Sequence, residues 1–196
     1  MTTSDSNISR ITNYLNDDNS SKFAQLILSI GFDASRAVRE NNLEALKLIF
    51  RAIRLFGLDD YEKDVLAEAA RKAHIEIIHW LVDNNCKYDT RTMRNACESG
   101  NFELVKYLYE LGCPIDETSF SGAAYSGELE IAMFLKSIEC PWDVESCSNA
   151  SMKGHLSMIK WLRKNGCPWD AYTYYYADKN AYDLIKWLRE QGCPGC

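Results

Sequence analysis

Between residues 61 and 193 the apolar positions fall at helical spacing in short blocks, and the blocks themselves recur. One block carries Phe102, Val105, Tyr107, Leu108 and Leu111; the next Leu129, Ala132, Phe134, Leu135 and Ile138; the next Leu156, Ile159, Trp161 and Leu162. Three- and four-residue spacing of this kind predicts a helix with one apolar face. Each block follows a second helical pattern marked by small residues. Ala37, Ala69, Ala96, Ala123 and Ala150 form one column, and Val38, Ala70, Cys97, Ala124, Ser151 and Ala177 the next. Small side chains let neighbouring helices approach closely. In this alignment Tyr176 takes the alanine position, which predicts a splayed or capping helix there. Trp80, Trp161 and Trp187 share a column with Tyr107 and Phe134 and are expected in the core.

The punctuation repeats too. Cys86, Cys113, Cys140 and Cys167 stand 27 residues apart, Cys193 follows after 26, and all four prolines directly follow a cysteine. Asn85, Gly112, Gly166 and Gly192 precede these cysteines and suit the left-handed residue that closes a helix, with the proline blocking continuation. Glu139 interrupts that column and predicts a weaker cap. Asp89, Asp116, Asp143 and Asp170 follow, each with Thr or Ser nearby, as N-caps of the next helix.

Helix pairs this short are marginal alone and gain stability by stacking. The expected fold is therefore all-α, a solenoid of about seven helix-loop-helix units with short loops. The units are placed at about 7–33, 34–60, 61–89, 90–116, 117–143, 144–170 and 171–196, as one domain after a disordered tail of residues 1–6. The first unit is polar, as an N-terminal cap should be, and the second contains a longer helix, "EALKLIFRAIRLFG".

The unit "ACESGNFELVKYLYELGCPID" resembles an ankyrin repeat: two small residues, a Gly-His position taken by His74 and His155 in other units, then Val-x-x-Leu-Leu-x-x-Gly-Ala with cysteine for the alanine. The 27-residue period is shorter than ankyrin's, and Thr-Pro-Leu-His is missing, which implies a finger reduced to a tight loop. With "GCPWD" and "KWLR", this short form is similar to ankyrin-like arrays of giant DNA viruses of amoebae. The resemblance implies a non-enzymatic scaffold that binds another protein through its concave face and loop edge.

Charge narrows the partner. The 196 residues carry a formal net charge of −6 with no basic run, which disfavours nucleic acid. No stretch reaches the ~18–20 apolar residues of a membrane span, and the N-terminus lacks a secretory pattern. The expectation is a monomer in the cell interior, in the cytoplasm (a host's, if the chain is viral).

Eight cysteines raise the question of chemistry. Column members one helix layer apart, about 8–10 Å, can neither share a zinc ion at ~2.3 Å nor form a disulfide. They read as packing residues, with Cys97 and Cys147 in core columns. His74 and His155 suit a hydrogen bond within their loop, and His79 an exposed site. No catalytic pair, metal site or cofactor site is expected.

The candidate partner-binding residues are the loop side chains Tyr88, Ile115, Trp142 and Trp169, and the exposed first-helix positions Glu98, Tyr125, Met152, Tyr175 and Asp178. Trp142 and Trp169 have a competing role, packing on the next repeat. Two other functions compete with this one. One is a thiol oxidoreductase using the terminal pair Cys193 and Cys196, although the pair follows a helix C-terminus, whose partial negative charge disfavours a thiolate. The other is a substrate adaptor for a ubiquitin ligase, for which no F-box-like segment is visible.

Overall fold

The computed structural model describes residues 34–56, with side chains to 51, and residues 64–196. The expected tail 1–6, the cap unit 7–33 and Gly57 lie outside them. Among the described residues there are twelve helices and no strand. They belong to two compact units: 34–56, 64–69 and 74–87 in the first, 70–73 and 88–196 in the second.

In the first unit, α1 (Ala34–Arg39) packs on α2 (Leu43–Phe56). The expected longer helix is α2, at 14 residues. The helices α3 (Val65–Arg71) and α4 (Ile75–Asp83) follow. Phe50 is buried and meets the Trp80 ring edge-on at 5.1 Å between centroids.

The second unit is a two-layer stack. Its first layer holds α5 (Thr90–Ser99), α7 (Glu117–Ser126), α9 (Val144–Met152) and α11 (Ala171–Tyr175), each packed on the next. Its second layer holds α6 (Phe102–Glu110), α8 (Leu129–Ser137) and α10 (Leu156–Lys164), likewise in contact, and then α12 (Tyr182–Glu190). The small-residue columns line the seams: Ala96, Cys97, Ala123, Ala124, Ala150 and Ser151 are all fully buried. Leu104, Val105, Leu108, Ile131, Leu135, Ile159 and Leu162 close the core from the second layer.

The local signals act as their chemistry requires. Asp89, Asp116, Asp143 and Asp170 sit in extended backbone at the N-caps of α5, α7, α9 and α11, and each carboxylate accepts a first-turn N–H. Thr92, Ser119 and Thr173 complete three capping boxes, satisfying donors that a helix start leaves unpaired. At the other end, Asn85, Gly112, Gly166 and Gly192 all take positive φ. Glu139 holds the same left-handed conformation, at φ 55°. That conformation is costly for a residue with a Cβ, so the cap is formed there under strain.

Three expectations need correction. Trp80, Trp161 and Trp187 are half-buried, not core; they flank the apolar face at positions next to Leu81, Leu162 and Leu188, which take the interior. Ala177, not Tyr176, continues the alanine column: Asp170 sets the register of α11, Ala177 is buried, and Tyr176 is 48% exposed. The residue missing from the last spacing falls after the helix, so α11 is short rather than splayed. Asp178 accordingly lies in the following loop rather than on the helix, and its N–H donates to the Ser151 carbonyl at 3.1 Å. His155, finally, bonds across repeats. Its Nε2 lies 3.1 Å from the Tyr125 carbonyl, and because a carbonyl only accepts, that nitrogen carries the proton.

Candidate functional site

The cysteine column does more than fill space. The Cys113, Cys140 and Cys167 thiols point at the carbonyls of Asp89, Asp116 and Asp143 at 3.5, 3.3 and 3.4 Å. Cys193 makes a longer copy to Asp170 at 3.9 Å. Each thiol thus ties its own loop to the helix cap one repeat earlier. Residue spacing alone showed a small apolar side chain; the donor role needed the loops' three-dimensional positions.

This environment is unsuited to thiol chemistry. Burial pushes the Cys113 and Cys140 thiols up to about 12, and it raises Cys97 as well. Cys147 is raised chiefly by its hydrogen bond with the Cys167 thiol and then by burial. Cys193 is pushed up to about 11, by burial first and by neighbouring Cys196 second. A thiol held protonated is a poor nucleophile. Seven cysteines are buried and Cys196 is exposed, so the native protein is expected to release one fast equivalent to a thiol reagent near pH 8. Cys196→Ser should remove that phase. A second fast equivalent, lost with Cys193→Ser, would instead favour the redox pair. The sign of the pH effect on stability follows. Unfolded thiols ionise near ~8.5, whereas native Cys113 and Cys140 hold their protons to about 12. Between these values the native state binds more protons, so their contribution is intact below ~8.5 and declines as pH rises above it. Among the described residues no three His, Cys, Asp or Glu side chains converge to hold a metal ion.

The loop candidates are turned into the stack. Trp142 is half-buried, with Phe120 of α7 at 5.0 Å, Trp161 of α10 edge-on at 6.4 Å, and the Lys136 ammonium 3.8 Å above its ring. Trp169 meets Trp187 of α12 at 6.1 Å, under the Arg163 guanidinium at 4.2 Å. Tyr88 donates its hydroxyl to the Leu111 carbonyl at 2.7 Å. Ile115 is half-buried. Each loop aromatic therefore spans from its own repeat to the next.

The first-layer candidates differ. Glu98, Tyr125 and Met152 occupy one helical position on α5, α7 and α9, each nine residues beyond its N-cap aspartate. Glu98 pairs with Arg94 at 2.9 Å. Lys153 lies 4.1 Å over the Tyr125 ring. Met152 is 41% exposed. Next to α9, α11 displays Tyr172, Tyr175 and Tyr176, of which Tyr175 is 76% exposed. Tyr172 stacks on Tyr176 at 5.6 Å and 16°, and Tyr175 meets Tyr176 at 5.2 Å and 76°. Beneath Tyr175 opens a cavity of about 420 Å³, lined by Tyr174, Ala177, Lys179 and Ile185 among others. The rings stack because α11 ends at once, leaving three of them on one turn.

No described helix is long and apolar enough to cross a membrane. A search of curated proteins finds no match. Among solved structures, the pentatricopeptide repeat protein PPR10 in complex with an 18-nt psaJ RNA element is similar at 16% identity and TM-score 0.41. A C256S/C430S/C449S form of that protein in the same complex scores the same. The match covers 94% of this chain and 37% of that one, so this chain spans little more than a third of its length. Residues 34–119 match the family model for ankyrin repeats, in three copies, so the described helical stack is similar over that stretch to a family whose repeats generally mediate protein–protein interaction.

Proposed function

We propose that the chain is a non-enzymatic interaction module that binds another protein through the exposed side of α7, α9 and α11. One observation carries this reading: Met152 on α9, and Tyr172, Tyr175 and the C-cap Tyr176 of the adjacent α11, are all exposed. Exposed apolar patches of this kind mark interaction sites, and tyrosine is enriched among residues that dominate binding energy. The similarity to ankyrin repeats over residues 34–119 supports the same class. The loop tryptophans, by contrast, are engaged in packing, so the patch on α9 and α11 takes precedence over the loop edge.

A photoreactive phenylalanine derivative at position 152 or 175 is expected to crosslink one protein in native extract that the same probe at second-layer Met133 does not reach. Met133 is a fair control, being 51% exposed. Tyr172→Ala with Tyr175→Ala should weaken retention of that protein more than ~10-fold, as loss of hot-spot residues does. Equal crosslinking from position 133, or unchanged retention, would sink the proposal.

A further inference from the structure

The opposite layer of the same unit carries a second feature, independent of the tyrosine patch. From Ser146 to Trp169 the chain holds Lys153, Lys160, Arg163 and Lys164 and no Asp or Glu, within a chain of net charge −6. Folding gathers three of these cations around an open cavity of about 400 Å³, lined by Lys160, Arg163, Lys164, Trp169, Trp187 and Gln191. Among the described residues no carboxylate lines it. Arg163 is held in place: its guanidinium lies 4.2 Å from the centre of the Trp169 ring and donates to the Cys167 carbonyl. The Lys160 ammonium is 5.9 Å from the centre of the Trp187 ring. The two indoles meet at 6.1 Å and 62°, forming an apolar wall beside the cations. Lys160 and Lys164 are exposed.

We infer that this groove is a binding site for an acidic peptide segment of a partner protein. Lys160, Arg163 and Lys164 stand three and four residues apart on α10 and so share one helix face, while Trp169 borders the groove from the loop after α10 and Trp187 and Gln191 from the end of α12. A strand advances about 3.3 Å per residue, with alternate side chains on one side. Alternating carboxylates of an extended segment therefore meet successive cations, and the intervening apolar side chains meet the indoles. A phosphate ligand fits less well. Among the described residues the groove is lined by side chains of Lys160, Arg163, Lys164, Trp169, Trp187 and Gln191, with no glycine-rich loop and no helix N-terminus to supply the backbone N–H groups that commonly cradle phosphate.

The test uses the full chain and fluorescein-labelled Glu-Leu-Glu-Leu-Glu, read by fluorescence anisotropy at low salt. Saturable binding is expected, weakened more than ~10-fold by Lys160→Glu with Lys164→Glu but less than ~2-fold by Lys106→Glu with Lys136→Glu, the same charge change on α6 and α8. Circular dichroism must show both variants folded; if the first pair unfolds, Lys164→Gln alone replaces it, with weaker binding again expected. Raising salt should also weaken binding. The inference is overturned by no saturable binding, by equal loss in both charge-reversal variants, or by inorganic phosphate or a 20-nucleotide single-stranded DNA displacing the peptide at lower concentration than unlabelled peptide. The Tyr172 and Tyr175 variants should bind this peptide normally, which separates the outcome from that of the first-layer patch.

Discussion

Phe120→Ala is expected to lower stability by about 3–5 kcal/mol, the range for removing a fully buried aromatic ring. The side chain is fully buried on α7. It occupies the position that Met93 fills one repeat earlier and Cys147 one repeat later. Its loss leaves a cavity and also removes the support for Trp142, 5.0 Å away. Because Trp142 also meets Trp161 on α10, the damage crosses into the next repeat. A urea titration of the two single variants and the double variant reads this directly. The Phe120–Trp142 coupling is expected at about 0.5–1.5 kcal/mol, as for other aromatic pairs. Strictly additive losses would show that the loop ring is seated independently of Phe120. A Trp142→Ala variant as stable as the parent would show that the loop ring contributes nothing to the stack.

Gly122→Ala sets two opposed effects against each other, and the clash is expected to win by about 2 kcal/mol. On an exposed helix this exchange stabilises by about 1 kcal/mol, because glycine is the poorer helix former. Gly122 lies inside α7, facing α5. A Cβ placed there falls 2.4 Å from the Arg94 carbonyl oxygen and 3.1 Å from the Cys97 Cβ. The carbonyl is held within α5 and cannot rotate aside as a side chain would. Relief requires α7 to move off α5, which loosens the seam between Cys97, Ala123 and Ala124. In a stack where each repeat contacts only its neighbours, such a break divides the array. The expected result is a lower urea midpoint, with a second transition if α5 and α6 melt apart from the rest. A variant at least as stable as the parent would show that the two helices separate more easily than their packing indicates.

These two residues also show where reading the chain runs out. Gly122 stands in a column with Asn95 and Asn149, so nothing in the repeat marked it as indispensable. Only the closeness of α5 makes it so. Trp142 was legible as a loop aromatic but not in its direction. The inward turn depends on Phe120 and Trp161, which lie 22 residues before it and 19 after it. Tyr176 and Asp178 were misplaced for a different reason. A one-residue deletion can be absorbed in the helix or after it, and the capping aspartate decides which.

The helix starts, the left-handed ends, the 27-residue period and the buried columns follow from residues within one repeat. Capping bonds and helical faces span only a few positions, so local chemistry suffices to specify them. Other features rest on the offset and angle between successive repeats. They include the thiols bonded to carbonyls one repeat earlier, His155 on the Tyr125 carbonyl and the basic groove beside Trp187. A repeat period states how often the helices recur, not how they are tilted. The tilt is settled by packing, where one Cβ at Gly122 or one ring at Trp142 shifts the balance.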